Sequence, residues 1–208
     1  LTGIIVADLG TMILLESMGL NNKVVYNPET LLTNEIDFNF LSSNNILGAY
    51  IAKEITVEEV ISIGKNKKYQ MFMVGHGHLN MFYSKRYLLD NYSELINKAN
   101  SYYTNSQTLK IVEPKRADSP FPILQDEAGT HVFRSKVMNS FPFFNDLSSV
   151  VDYFIIDTIF KDDNYGYEIL KMYSNCDLNQ ADALKVKYDE TWDEGFLNNK
   201  TYYKRKVK

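Results

Sequence analysis

A single cysteine, Cys176, in 208 residues removes several functional classes at once. One thiol cannot close an intramolecular disulfide, complete a four-cysteine zinc site or hold a four-cysteine iron–sulfur cluster. Familiar nucleotide and hydrolase fingerprints are missing too: the chain has no P-loop, no G-x-G-x-x-G and no G-x-S-x-G elbow. No apolar run is long enough to cross a bilayer, and no secretory leader pattern is visible. The expected setting is therefore cytoplasmic, with no membrane partner. Excess positive charge is absent as well. A net charge of −4 argues against a uniformly basic nucleic-acid binder, although whole-chain charge hides local patches. Repeats and low-complexity segments are also lacking.

What is present suffices for one substantial domain. Forty-five per cent hydrophobic and 13 per cent aromatic residues can fill a core. The first residue is not methionine, and a strand-like run, Ile4 to Ala7, begins almost at once; the expectation is a trimmed chain or fragment.

In the first third, apolar runs recur at roughly twenty-residue intervals, the period of βα units. Ile4-Ile5-Val6-Ala7 ends at Asp8 and precedes a helix over 11–18. Lys23-Val24-Val25-Tyr26 ends at Asn27-Pro28-Glu29 and precedes a helix over 33–42. Ala49-Tyr50-Ile51-Ala52 ends at Lys53-Glu54, where Thr56 and Glu59 have capping-box spacing. A fourth strand over 69–74 delivers the run Gly75-His76-Gly77-His78. Continuous apolar strands separated by helices predict a parallel sheet covered on both faces.

Further on, 90–105 reads as a helix and 110–122, with three of the five prolines, as loop. A hairpin over 123–133 turns at Glu127-Ala128-Gly129. A buried strand over 150–157 and a helix over 165–174 follow. The tail, 200–208, carries five Lys or Arg in nine positions. The domain reading is a partial βα core over 1–160, including the signature loop 75–92 and a hairpin insertion over 120–135, then a C-terminal helix and basic tail over 161–208.

Strand ends locate the candidate chemistry. In a barrel-like sheet Asp8, Asn27, Glu29, Lys53, Glu54, His76 and Asp157 would all fall at C-terminal strand ends and converge on one mouth. Each has a plainer role open to it: Asp8 as the cap of the next helix, Lys53 and Glu54 as a solvated rim pair. His76 suits acid–base work near neutral pH. His76 and His78, two apart in extended chain, would point the same way as paired metal ligands do, but a third ligand would be needed; no metal is predicted. Ser84 beside either histidine is conceivable as a nucleophile, without a recognisable oxyanion loop. Lys85 and Arg86 among Tyr83, Tyr87 and Tyr92 mix cations with rings as single-stranded nucleic acid favours. Fifteen tyrosines in the chain make a packed, solvated loop the competing reading. Cys176 reads as structural.

The stretch Met73-Val74-Gly75-His76-Gly77-His78-Leu79-Asn80-Met81-Phe82-Tyr83-Ser84-Lys85-Arg86 resembles the signature of the collagenase-like peptidase family (peptidase family U thirty-two). So do Ile4-Ile5-Val6-Ala7-Asp8-Leu9-Gly10 and Asn27-Pro28-Glu29-Thr30-Leu31-Leu32-Thr33-Asn34. Gln125-Asp126-Glu127-Ala128-Gly129-Thr130-His131-Val132-Phe133 is similar to its D-x-x-G-T-x-[IV] segment. The resemblance runs from Ile4 to about Phe196. It implies an α/β fold, an incomplete TIM-barrel-like parallel βα sheet with a hairpin-containing C-terminal extension. The early βα units of the family barrel have no counterpart here, which leaves open edges and predicts a dimer or larger assembly.

For activity, the resemblance implies RNA modification at least as strongly as proteolysis. The chain looks most like the small-subunit type linked to 5-hydroxyuridine at the tRNA wobble position, which accompanies a larger paralogue. On that reading tRNA and the paralogue, or a second copy, are the partners. His76, Glu54, Asp8 and Asp157 would be catalytic, and Asn27, Lys53, His78, Tyr83, Ser84, Lys85 and Arg86 would bind substrate. Peptidase activity and a non-catalytic scaffold remain the alternatives. Cluster-holding members place two cysteines in the signature, where this chain has Asn80 and Tyr87. Their glutamate at its start falls at Phe72. No cofactor is expected in this chain.

Overall fold

Short apolar segments, Ile4–Val6 (β1), Val24–Tyr26 (β2), Gly48–Tyr50 (β3) and the longer Gln70–Gly77 (β4), pair in parallel in that order. The chain is seen here in a computed structural model that describes residues 1–98, 109–177 and 179–199. Tyr153–Ile156 (β10) lies parallel on β4, with Tyr153 opposite Phe72. β2 and β3 are buried on both faces, which explains their unbroken apolar character. The strand order begins β1-β2-β3-β4, with β10 on β4, and no closed barrel forms among the described residues.

The described chain divides into two compact units. The first contains residues 1–76, 139–156 and the segment from 194 onward. It carries β1 to β4 and β10. Its helices are Leu9–Ser17 (α1), Glu35–Asn39 (α2), Val57–Lys65 (α3) and Phe144–Leu147 (α5). α3 has the capping box read from the sequence: Thr56 Oγ1 accepts from Glu59 N at 3.4 Å and Glu59 Oε2 accepts from Thr56 N at 2.7 Å. α2 is shorter than predicted. Asn34 caps it, accepting from Asp37 N at 2.9 Å, and a 3-10 turn over Phe40–Asn44 follows. Rings of Tyr50, Phe72 and Tyr153 stack across β3, β4 and β10 with centroids 5.5 and 4.4 Å apart. Val25, Leu47, Val74 and Ile155 pack around them.

The second unit contains residues 77–138 and 157–193. Asn80–Ser84 (β5), Lys110–Ile111 (β6), Phe121–Asp126 (β7) and Gly129–Phe133 (β8) form an antiparallel sheet in the order β5-β8-β7-β6. The hairpin is as predicted, with Asp126 opposite Gly129. Gly129 has φ +142°, and a Cβ there would collide with the Ser84 carbonyl, so the close approach of β5 requires glycine. Two expectations are corrected. The signature run 75–92 is not all loop: β4 extends to Gly77, β5 takes Asn80–Ser84 and a helix begins at Leu88. The proline-rich span 110–122 contains β6, a 3-10 turn over Pro114–Arg116 and the start of β7. The helix predicted over 90–105 is Leu88–Leu95 (α4); its C-terminal part, from 99, lies outside the described residues.

Val137–Asn139 (β9) pairs in parallel with Trp192–Asp193 (β11). Asp163–Asn175 (α6) and Asn179–Lys187 (α7) complete the unit. Tyr165, Ile169, Met172 and Tyr173 bury one face of α6. Cys176 closes α6 in the left-handed conformation. The basic tail 200–208 lies outside the described residues.

Candidate functional sites

In the first unit the predicted strand-end residues do lie at the C-terminal ends of adjacent parallel strands. Asp8 follows β1, and its Oδ1 accepts from Thr11 N at 2.7 Å; this hydrogen bond holds the carboxyl below its ordinary range. Its plainer role, the cap of α1, is therefore filled. Asn27 follows β2. Its amide donates to Val6 O at 2.8 Å, and its Oδ1 accepts from Glu29 N at 3.2 Å. That turn leaves Glu29 at φ +65°, an uncommon conformation for a residue with a Cβ. Glu29 reaches across to Lys53 after β3, and the two form an ion pair. The rim pair read from the sequence, Lys53 with Glu54, is thus corrected: Lys53 pairs with Glu29. Its side chain is 11 % exposed and that of Glu29 51 %, so the cation is held against the strand ends while its partner stays wet. Glu54 is half-buried and His76, on β4, is fully buried.

Asp157 belongs to the second unit, where Oδ1 accepts from Ile159 N at 2.9 Å. Its backbone crowds Gly77: a Cβ on Gly77 would lie 2.6 Å from the Asp157 carbonyl oxygen, and Gly77 has φ +138°. The regular extended chain that would aim His76 and His78 alike is therefore interrupted between them. Among the described residues no group of three His, Cys, Asp or Glu could hold a metal.

His78 donates from Nδ1 to Arg134 O at 2.8 Å; a carbonyl only accepts, so Nδ1 carries the hydrogen and Nε2 the lone pair. Burial pushes its pKa down, and the charges of Lys161 and Lys110 add to this. His78 is a neutral imidazole at pH 7. Arg134 in turn makes a two-pronged ion pair with Asp193, one prong at 2.6 Å.

The signature and the D-x-x-G-T segment turn out to be two halves of one device. β5 of the first pairs with β8 of the second, Ser84 opposite Thr130. α4 has no capping side chain before it. Thr130 Oγ1 instead accepts from Leu88 N at 3.0 Å, and Gln125 Oε1 from Leu89 N at 2.8 Å. Both caps are buried and satisfy first-turn donors that would otherwise be orphaned. Sequence reasoning missed this role, because the caps come from forty residues downstream. Tyr83 and Tyr87 donate to the hairpin carbonyls of Ala128 and Glu127 at 2.8 and 3.1 Å. Their rings remain exposed, as do Lys85, Arg86 and Tyr92, so rings and cations share one accessible stretch. Ser84 Oγ accepts from Arg86 N at 3.2 Å. Among the described residues it makes no hydrogen bond with His78.

An iron–sulfur cluster does not fit these residues. Asn80 bonds His131 Nδ1 at 3.2 Å and accepts from Phe82 N at 3.2 Å; Tyr87 holds the hairpin. Neither offers a thiolate, and four are required.

A parallel βα sheet with polar strand ends, joined to an antiparallel unit that clamps a β5–α4 signature, defines an α/β protein with two candidate sites, one in each unit. The chain belongs to Peptidase family U32, whose model matches residues 1–201. It is similar to tRNA hydroxylation protein P2 of Bacillus subtilis (strain 168), 28 % identical over 156 residues. That match covers 73 % of this chain and 50 % of the relative, so the chain spans about half the length of the curated protein it matches. No solved structure matches it.

Proposed function

We propose that this chain is a cluster-less subunit or domain of a tRNA uridine-hydroxylating system. The observation that carries the reading is the similarity to a tRNA hydroxylation protein across most of the chain. The exposed Tyr83, Lys85, Arg86 and Tyr92 support it, offering rings for stacking and cations for phosphate. His76, Glu54, Asp8 and Asp157 are the candidate catalytic groups, and Asn27, Lys53, His78 and Ser84 the further substrate contacts. A redox centre would come from a larger family paralogue.

Association is part of the proposal. Among the described residues β1 pairs with β2 alone, and α1 beside it exposes Leu9, Ile13, Leu14 and Met18 together with Ile5 of β1. A contiguous apolar face on an open strand edge is a surface that proteins cover. No described helix is long and apolar enough to cross a membrane.

The deciding experiment is nucleoside mass spectrometry of tRNA from a strain lacking the gene. Loss of wobble 5-hydroxyuridine derivatives, restored by the gene but not by its His76→Ala form, is the expected result. A profile that stays unchanged even when the paralogue is also deleted would sink the RNA reading.

A further inference from the structure

A cavity of about 490 Å³ lies wholly within the second unit, and His78 lines it. The ring is 7 % exposed. With Nδ1 committed to Arg134, Nε2 is the one ring atom left for a ligand, and it has no partner among the described residues. Facing the cavity, that lone pair is an acceptor open to a ligand's N–H. Beside it on the wall stands Lys161, paired with Glu190 and only 14 % exposed. Burial, with the Lys110 charge, brings this ammonium down to about 8; it remains a cation and a donor at pH 7. Its charge reaches the His78 ring.

Phe160 supplies the apolar wall, edge-on to His78 at 5.9 Å and to Phe133 at 5.0 Å. It is held at φ +68°, where a bulky side chain is a genuine outlier, and such conformations gather at ligand sites. At the rim Lys110 and Lys136 are cations without ion-pair partners among the described residues, and Asp118 and Asp189 are carboxylates without them.

We propose that this cavity binds a nucleobase in its lactam form, uracil or guanine, through the adjacent acceptor and donor of His78 Nε2 and Lys161. An imide or lactam edge places N–H next to C=O, which is the complement of that pair. The ring lies against Phe160, the phosphate meets Lys110 or Lys136, and the rim carboxylates accept from ribose hydroxyls. The volume suits a whole nucleotide. Adenine and cytosine are refused, because each turns a ring-nitrogen lone pair towards Nε2 and an amino group towards the ammonium. The inference rests on the RNA-modifying reading only for where the base comes from, an unstacked RNA residue rather than a free nucleotide.

The test is calorimetric titration of the full chain with UMP, GMP, CMP and AMP, and with a short single-stranded oligonucleotide containing one uridine among adenosines, against the same oligonucleotide without it. UMP and GMP should bind at least about tenfold more tightly than CMP and AMP, since a mismatch loses one hydrogen bond and strands a buried acceptor. Lys161→Gln should erase the preference. Lys136→Ala should weaken nucleotides but not nucleosides. His78→Gln, checked for an unchanged circular dichroism spectrum, should reduce UMP binding. Uridine-dependent oligonucleotide binding would give RNA as the source, and UMP binding alone a free nucleotide. Equal affinity for all four, or none for any probe, would overturn the proposal. The nucleoside profile of the deletion strain is a separate readout, so the hydroxylation reading and this cavity can fail independently.

Discussion

His78 shows how much one hydrogen bond decides. A histidine after a strand is ambiguous in sequence between base, ligand and core residue. The Arg134 carbonyl fixes the hydrogen on Nδ1, and burial keeps the ring neutral. Stability should therefore depend on pH. Above the ordinary histidine pKa of 6.5 both folded and unfolded chains carry the ring neutral, and its full contribution is present. As pH falls through 6.5 the unfolded chain takes up the proton first, and stability declines until the folded ring also protonates. Urea midpoints measured from pH 7.5 down to 5 should fall more steeply for the wild type than for His78→Gln; parallel curves would show that this ring does not titrate as a buried imidazole. Other residues were legible only as types. Asp8 is a cap in the structure as well as a strand-end acid, while Lys53 finds Glu29 rather than its neighbour, since pairing across strand ends is set by sheet order.

At the scale of elements, what could be read locally was read. The capping box at Thr56 needs only the spacing of Thr and Glu around a helix start, and it is present. Thr56→Ala should lower stability by about 1 kcal/mol, seen as a shifted urea midpoint with unchanged slope; no shift would mean that Glu59 alone satisfies the first turn. The hairpin was readable for the same reason, its turn residues standing between two alternating runs. For α4 the helix itself was readable but its start was not, because its caps are Thr130 and Gln125, and no window along the sequence brings them to Leu88. β6, β9 and β11 are two or three residues long, too short for periodicity to register, and pairing partners alone define them. The signature motif was legible as a family mark, but its physical work here is to build β5 and present Tyr83 to Arg86 on a stiff support.

For the whole molecule, the βα rhythm led to a parallel sheet and to the expectation of a barrel mouth. The sheet is there and closure is not, among the described residues. The seam left at β1 and α1, with Ile13 61 % and Leu14 59 % exposed, should draw the chain into assemblies. Sedimentation velocity at micromolar concentration should show a species larger than the monomer, shifted towards monomer by Ile13→Glu with Leu14→Lys. A sharp monomer peak for the wild type would count decisively against the apolar face as an interface. The net charge of −4 is compatible with the proposed RNA substrate, because whole-chain charge does not describe the exposed stretch that carries Lys85 and Arg86.

The first unit is written in three separated pieces of sequence. β10, from residue 153, is needed to pair with β4, and the first amide of α3, Val57 N, donates to Leu197 O at 3.0 Å. During synthesis, then, β4 leaves the ribosome with one flank unpaired and waits for roughly eighty more residues, several seconds at ordinary translation rates. Over that interval the β7–β8 hairpin, whose contacts are local, has the chance to order and take β5 as its neighbour. The slow step of maturation should be the late return of the chain to its own beginning, a long-range closure of the kind that delays folding and exposes strand edges meanwhile.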